Sequence, residues 1–514
     1  MQTVSQAWKD AQNKNFLPEA FVDVVMAVGD PESQSDGVPS DNGSEFFSNS
    51  SSLTDTKEKR PSKFATCERN LWLLGDNVDV ASRDQSREGQ GFTGDILCNG
   101  DGVFVEKIPA ITIKFSRVFT ELIPGLTVVW SNMHQEFARK IRVTASAAGT
   151  VTYQSVFDNE EVTSILYCDI DNYDTITIEV LEWCLPFRRA RIESIVIGIQ
   201  KTYSKKDIFD FQHSNFVDPL SAELPKNEIV MKIKNLNNEY NPDNPQGAEK
   251  YLLERQTLSV TYGYMLNGVK ETISAGTFFI SEWDTPQNGI EATFTARDAL
   301  EFMNDKYEGT VTGTLYNIAT AALTQANLPT LANGDNRWYV DPGLKRISTP
   351  SSVDIDDVSI AEILQYVANA GCCVLYQNRE GVIRLEPLPD GETDYEIGPF
   401  VSYQNADIKL TKQLKAVNVN NGQYTLTVGQ SGETQTINNP LISNAQAPAV
   451  AQWAADYLVN RKILSGSFRA DPRLDALDRI INKNQFAESV VLVTEVKFTF
   501  NGAFRGEYEG RAGV

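Results

Sequence analysis

Histidine is scarce in this chain of 514 residues, in which only His134 and His213 are present. A two-histidine metal site, a Ser-His-Asp triad or a Cys-His pair would each have to use one of these two isolated residues. We therefore predict no catalytic residue, no metal ligand and no cofactor, and we interpret both histidines as surface or core residues.

Basic residues are also in deficit, since 46 Lys and Arg face 68 Asp and Glu for a net charge of −22. A surface of this sign repels phosphate and anionic lipid, so we predict no specific nucleic-acid binding. No run of 18 apolar residues occurs, and the first ten residues lack the basic and apolar regions of a signal peptide. We expect no membrane insertion, and synthesis and folding in a cytoplasm.

The chain has six cysteines and no CxxC spacing. Disulfide frameworks are dense and belong to small secreted domains. We therefore predict free thiols, mostly buried, at Cys67, Cys98, Cys168, Cys184, Cys372 and Cys373.

Two short motifs are incomplete. Residues 89–94 match GxGxxG, but the preceding Ser-Arg-Asp-Gln-Ser-Arg-Glu is not a strand that could begin a βαβ unit. The acidic run 169–174 resembles a calcium loop, yet Asp174 stands where the EF-hand requires Gly and Val180 where it requires Glu. An EF-hand is excluded, and a looser calcium site in a jelly roll is left open.

The clearest pattern lies between Leu224 and Phe302. Leu258, Val260 and Tyr262 alternate with polar residues, as in a strand that is buried on one face. Asn267-Gly268 and Asn288-Gly289 are typical of tight hairpin turns, because both residue types tolerate positive φ. This stretch is predicted to be a β-domain.

The same stretch resembles the hub-type tail proteins of bacteriophages and prophages. The resemblance is carried by a long pattern, at residues 224–229 (LPKNEI), 235–247 (NLNNEYNPDNPQG), 252–264 (LLERQTLSVTYGY), 275–283 (AGTFFISEW), 288–303 (NGIEATFTARDALEFM), 359–388 (SIAEILQYVANAGCCVLYQNREGVIRLEPL) and 469–480 (RADPRLDALDRI). It covers roughly residues 220–511 and contains no catalytic signature. It implies a structural role in a virion.

Short alternating strands also fill residues 105–202. Their order resembles the galactose-binding-like jelly rolls of carbohydrate-binding modules and tail-tip proteins. Trp130, Tyr153 and Trp183 are the candidate glycan-binding residues, since aromatic rings stack on sugars. Burial in the core is the favoured alternative for all three.

Helices are predicted in four places. Val4, Ala7, Trp8 and Ala11 have the spacing of an amphipathic N-terminal helix, docked on its own domain. Ser359 and Glu362 form a capping box for a helix that ends at Gly371. The other two are placed by an apolar stripe each: Leu315, Ile318, Ala319 and Ala322 in one, and Val450, Trp453, Ala454, Tyr457 and Leu458 in the other.

The predicted fold is mainly β with a few helices (α+β), a jelly-roll sandwich followed by hub-type β-barrel or tube domains. The predicted boundaries are a loop-rich N-terminal region at 1–104, the jelly roll at 105–202, a hub β-domain at 219–311, a helix-hairpin insertion at 312–400 and a second hub β-domain at 401–514. We expect a joint between residues 203 and 218, where no period is visible.

Three functional hypotheses follow. The first is a non-enzymatic component of a tail tip or baseplate hub, assembled in the host cytoplasm and bound to the tail tube and other baseplate proteins. A host-glycan receptor module and a tail-associated cell-wall hydrolase are the alternatives. The resemblance favours a homo-trimer, with six copies as the alternative. Strands such as 257–262 and 490–500 are expected to be sheet edges that a ring of copies would cover.

Overall fold

The computed structural model describes residues 1–14, 16–29, 31–55, 62–66, 68, 71, 90–236, 238, 240–241, 256–286, 290–328, 335–355, 357–389, 391 and 395–513. The protein is mainly β with short helices, which confirms the predicted class. Within these residues no helix is long and apolar enough to cross a membrane.

The helices are short: α1 Gln6–Gln12, α2 Pro31–Asp36, α3 Leu315–Gln325, α4 Ile360–Ala370 and α5 Ala447–Leu458. The strands, in chain order, are β1 Ala20–Val28, β2 Val38–Asp41, β3 Phe92–Thr93, β4 Ala110–Phe119, β5 Ile123–Val129, β6 Ala138–Ala147, β7 Thr150–Asp158, β8 Thr163–Ile170, β9 Tyr173–Trp183, β10 Arg191–Ile192, β11 Ser194–Ile197, β12 Ile199–Tyr203, β13 Ile208–Phe216, β14 Lys226–Lys234, β15 Thr257–Leu266, β16 Val269–Asp284, β17 Glu291–Arg297, β18 Trp338–Val340, β19 Val374–Gln377, β20 Ile383–Glu386, β21 Glu396–Ile397, β22 Asp407–Leu410, β23 Leu414–Val419, β24 Tyr424–Thr427, β25 Glu433–Ile437, β26 Lys462–Phe468, β27 Arg479–Lys483, β28 Glu488–Phe500 and β29 Phe504–Ala512. The chain divides into two compact units, Met1–Met26 with Thr202–Val514 and Ala27–Lys201.

One large sheet holds the first unit together. Its strands run β1-β15-β16-β17-β14-β13-β28-β29-β26-β22, and β27 pairs with β28 and β21. Strand β13 pairs on one side with β14 and on the other with β28, so that Phe211 lies between Met231 and Phe500. The inner side chains of these strands form one hydrophobic core. Residues 219–311 and 401–514 therefore share a sheet and a core.

The alternation of apolar and polar residues that predicted these strands arises because one face of the sheet is buried. Leu258, Val260 and Tyr262 on β15 are buried on the inner face. Asn267 and Gly268 both have positive φ and form the predicted turn between β15 and β16. The Asn288-Gly289 turn lies outside the described residues, although the strands on either side of it, β16 and β17, do pair antiparallel.

One expectation about the sheet is wrong. Strand β15 lies between β1 and β16, and β28 lies between β13 and β29, so neither is an edge. The compact units divide between Lys201 and Thr202, next to the joint expected at 203–218, and within that segment residues 208–216 form strand β13 in the interior of the sheet. Alternation was missed there because Asn, Gln and His occupy several positions and hide the period of two.

A second core in the first unit joins the helix-hairpin segment to later parts of the chain. Helices α3 and α4 and the hairpin β19–β20 pack together with β23 and α5. Leu414, Val417 and Val450 belong to this core and not to the core of the large sheet. The sequence boundary at residue 401 therefore runs through a single packed body.

Local signals placed the helices of this core correctly. The Ser359 hydroxyl accepts from the Glu362 backbone amide, and the Glu362 carboxylate accepts from the Ser359 amide. The helix ends at Gly371 as predicted. In α5 the buried face is shifted toward small residues, Ala447, Val450, Ala451, Ala454 and Ala455, and Trp453 is only partly buried.

Residues 469–480 tie several elements of the first unit together. The buried Asp471 carboxylate accepts from Arg473 and, at 3.3 Å, from the Trp8 indole of α1. Arg379, in the hairpin turn, donates to Asp475 at 2.8 Å and to the Ser274, Pro472 and Leu474 carbonyls at 2.8–3.1 Å. Because a guanidinium offers five donors in a fixed plane, one side chain can join three segments of backbone.

The second unit is a sandwich of two sheets over its own core. One sheet has the order β2-β4-β9-β6-β7 and the other β11-β5-β8. The pairs β4–β9, β5–β8 and β6–β7 are nested within one another along the chain. Strands β2 and β3 pair with β4 and β10, so described residues of the region 27–104 belong to the sandwich.

Candidate ligand cleft in the sandwich unit

The glycan-binding residues expected from the sequence do not form a platform. Trp130 and Trp183 are 0% and 1% exposed, and their rings meet edge to face with centroids 6.0 Å apart. The Trp183 indole donates to Glu136 at 2.9 Å. Tyr153 is partly buried against the same core. The core alternative is therefore correct for the two tryptophans, because neither indole has a face open to a sugar.

A small cleft occurs elsewhere in this unit, between the turn that follows β5 and the strands β3 and β10. It encloses about 30 Å³. That space admits a water molecule or one substituent of a larger ligand. Its lining is mixed, with aromatic, hydroxyl, amide and charged groups, and comprises Phe47, Ser62, Phe64, Thr66, Gln90, Phe92, Thr93, Ser131, Met133, His134, Arg191, Ile192 and Glu193.

Phe47 and Phe64 line the aromatic side of the cleft, and Phe46 lies next to Phe47 outside the lining. The rings of Phe47 and Phe64 are stacked with centroids 4.4 Å apart, and Phe46 meets Phe47 edge to face at 5.5 Å. Phe46 is exposed, whereas Phe47 and Phe64 are partly buried. An aromatic surface beside a polar depression is the usual combination for a ligand with one apolar face.

The polar side of the cleft is a closed turn. Backbone bonds of 3.1 Å in both directions join Ser131 and Glu136, and the Glu193 carboxylate accepts from the Asn132 amide at 2.8 Å. Burial raises the pKa of Glu193. The turn therefore holds a carboxyl group whose charge is disfavoured relative to an exposed one.

His134 lies on this turn with Nδ1 2.7 Å from the Ser131 hydroxyl. Burial first, and then the Arg191 guanidinium, lower the pKa of His134 to about 4. The imidazole is therefore neutral at neutral pH. Its Nε2 has no hydrogen-bond partner among the described residues and is free to bind a neutral polar group.

A buried network of charges supports the floor. Arg191 pairs with Glu68, whose other oxygen accepts from the Arg189 amide at 2.7 Å. Burial acts to raise the pKa of Glu68, but Arg191 and the Arg189 amide outweigh it and lower that pKa. Glu136 accepts from Arg188 at 2.9 Å. These charges are paired with one another, whereas the Glu193 carboxyl group in the cleft lining accepts from two backbone amides and has no cationic partner among the described residues.

The structural comparisons return phage tail proteins. The 43 kDa tail protein of prophage MuSo2 from Shewanella oneidensis is 12% identical, with 60% of this chain and 94% of that chain covered and a TM-score of 0.42. A tail protein from Neisseria meningitidis MC58 is 11% identical over 61% and 93%, with a TM-score of 0.43. Prophage tail protein gp18 from Listeria monocytogenes EGD-e is 11% identical over 61% and 91%, with a TM-score of 0.40.

No family model matches this chain, and no curated protein matches it. Structural likeness at these identities and TM-scores does not assign the chain to a family. The function proposed below is therefore argued from the chain's own sequence and geometry.

The remaining motifs do not form sites. Residues 90–94 enter strand β3, which pairs with β10 and is not followed by a helix, while Gly89 lies outside the described residues. The acidic run 169–174 covers the connection from β8 to β9, which lie in different sheets, and the Asp174 carboxylate accepts from the Ala148 backbone amide at 2.6 Å. In the described part of the chain, no three His, Cys, Asp or Glu side chains are grouped to hold a metal ion.

The described cysteines, Cys98, Cys168, Cys184, Cys372 and Cys373, are free thiols, and three of them are buried. Burial raises the pKa of Cys168 to about 12, so this thiol stays protonated and unreactive. Cys67 lies outside the described residues.

Proposed function

We propose that this protein is a non-enzymatic structural component of a phage tail tip or baseplate hub, which joins the tail tube to the distal host-recognition complex. The resemblance of residues 220–511 supports this role. One structural observation carries it: β13 pairs with both β14 and β28, so the strands before and after the helix-hairpin segment share one sheet and close over a single core. A continuous sheet of this kind suits a part that must stay rigid under mechanical force better than separately linked domains do.

The sandwich unit is proposed to be a jelly roll that braces or decorates the assembly. Its nested strand pairs, β4–β9, β5–β8 and β6–β7, support this topology, since a jelly roll is a long hairpin rolled into two sheets.

We further propose that the protein is assembled into the virion in the host cytoplasm, as a ring of three copies with six as the alternative. Its partners there are the tail tube and other baseplate proteins. Because β15 and β28 are internal strands, the copy number rests on the resemblance alone. On the hub face that lines a DNA channel, carboxylates should outnumber Lys and Arg, since basic groups would hold phosphates.

Cryo-microscopy of assembled tails tests the hub proposal. The first unit should lie on the tail axis around a lumen that is not basic, with the sandwich unit away from the axis. Six copies would replace the trimer and leave the ring intact. A first unit placed off the axis would overturn the hub role, and turnover of cell-wall material by the purified chain would overturn the non-enzymatic role.

The cleft in the sandwich favours one second function, the binding of a host-surface glycan. A sugar offers an apolar ring face to Phe47 and Phe64 and neutral hydroxyls to Gln90, His134 and Glu193. Arg191 is paired with Glu68, so the described lining residues offer an anion no unpaired cation, and a neutral ligand fits better.

A glycan array probed with the full chain tests this second function. Binding should fall at least about tenfold in Phe64→Ala and in Glu193→Gln, which is the scale of one lost polar or stacking contact. Tyr153→Ala is the matched control, because Tyr153 lies on β7 and does not line the cleft. Binding that is absent, or that responds only to Tyr153, would rule out a glycan site here.

A further inference from the structure

The large sheet of the first unit ends in a short strand, β22, whose outer side is open. Strand β22 pairs with β26 in the register Ile408↔Leu464, and in the described part of the chain no other strand pairs with it. All four of its residues are exposed. Its outer backbone amides and carbonyls are thus available to another strand.

Two apolar side chains of β22 extend the apolar face of the neighbouring strand β26 to the edge of the sheet. Residues opposite each other in a ladder share a face, so Ile408 lies on the same face as the fully buried Leu464. Ile408 and Leu410 are nevertheless 52% and 56% exposed. A strand added at this edge would cover both.

We propose that β22 binds the β22 strand of a second copy of this chain, antiparallel and across a two-fold axis. The occupant is identified by complementarity of charge. When Ile408 faces Ile408 of the second copy, Asp407 of each copy faces Lys409 of the other, and Leu410 faces Ala406. Opposite charges directly across a ladder stabilise it and like charges destabilise it.

Asp407 and Lys409 form no ion pair with any described residue. A shift of the register by one residue would set Ile408 against Lys409 and turn the apolar row to the other face, which disfavours it. Against a strand of uncharged residues, Lys409 would oppose pairing, as lysines on edge strands do. Self-pairing is the arrangement that satisfies both the apolar row and the two charges.

This inference does not depend on the hub role, since it concerns two-fold pairing at one strand and not a ring on the tail axis. The interface is small, so the free chain should associate weakly. Sedimentation velocity of the full chain at low salt should show a monomer–dimer equilibrium, and higher salt should weaken it because the charges are exposed.

Charge reversal provides the decisive test. Asp407→Lys and Lys409→Asp should each raise the dimer dissociation constant by about tenfold or more, because like charges then face each other at both ends of the pair. An equimolar mixture of the two variants should dimerise again, since the Lys-only strand of one then faces the Asp-only strand of the other.

Asp101→Lys and Lys206→Asp are matched controls that change the net charge equally at exposed sites outside β22. A chain that stays monomeric up to about 1 mM, where an association of about 4 kcal/mol is half complete, would overturn the proposal. So would dimers that survive both single variants, a mixture that fails to restore association, or a trimer that is indifferent to all of these changes.

Discussion

At the residue scale, His213 makes folding of the first unit sensitive to acid. Its ring lies in the core, with Nε2 2.8 Å from Asn227 Oδ1 and Nδ1 2.7 Å from the Tyr262 hydroxyl. Since the amide oxygen can only accept, Nε2 donates, and Nδ1 accepts from Tyr262. Burial lowers the pKa of His213 from 6.5 to about 4.

The sign of the pH effect follows from this pKa. Below about pH 6.5 the unfolded chain binds a proton that the native chain does not, so stability falls between about pH 7 and pH 4, by about 3 kcal/mol in all. The His213→Gln variant can keep both hydrogen bonds but has no imidazole to protonate. Between pH 7 and pH 4 it should therefore lose about 3 kcal/mol less unfolding free energy than the unchanged protein. Equal pH dependence in the two proteins would contradict the assignment. Comparing them cancels the contribution of His134.

Arg379 supplies a second test at this scale. Its side chain is buried and joins the hairpin turn to Asp475 and to three backbone carbonyls. Removing one partner of a buried ion pair typically costs about 3–5 kcal/mol, so Arg379→Ala should lower the free energy of unfolding by that order. Lys306→Ala, which removes an exposed pair with Asp357, should change it by about 0–1 kcal/mol. Similar losses in both variants would show that Arg379 is not a structural tie.

At the scale of elements, both helices α1 and α5 form where their apolar stripes predict them, but in α5 the buried residues are not all those of the predicted stripe. Trp8 in α1 is fully buried and contacts Tyr264 edge to face at 4.8 Å, whereas Trp453 in α5 is only partly buried. Trp8→Ala should therefore cost about 3–5 kcal/mol of unfolding free energy, and Trp453→Ala clearly less. Denaturant titrations measure the unfolding free energy of each variant. A larger loss of unfolding free energy in Trp453→Ala than in Trp8→Ala would contradict the prediction.

At the scale of the whole molecule, the position of β13 decides where the chain can be cut. Strand β13 is paired on both sides, so its amides should exchange slowly with solvent and native-state proteolysis should spare residues 208–216. The edge strand β22 is an internal control with one open side. Hydrogen exchange read by mass spectrometry tests both strands together. Cleavage within 208–216 while the rest of the sheet stays protected would restore the joint expected from the sequence.

The sequence alone determined the elements whose signals are local. The Asn267-Gly268 turn, the Ser359–Glu362 capping box and the alternation of Leu258, Val260 and Tyr262 each depend on a few neighbouring residues, and each is present in the structure. The absence of paired histidines and of CxxC spacing had equally direct consequences for the chemistry expected of the chain.

Tertiary structure decided everything that depends on partners distant in the chain. Which strands are edges follows from long-range pairing, and β15 and β28 turned out to be internal while β22 is open. The cleft brings Phe47 and Phe64 to His134 and Glu193, and only the adjacent aromatics Phe46 and Phe47 in a polar stretch could have drawn attention to it. Trp130 and Trp183 were candidates for sugar stacking because the alternation of a strand shows only that a side chain lies on one face of its sheet. Whether that face is exposed depends on the opposing sheet, which buries both indoles here.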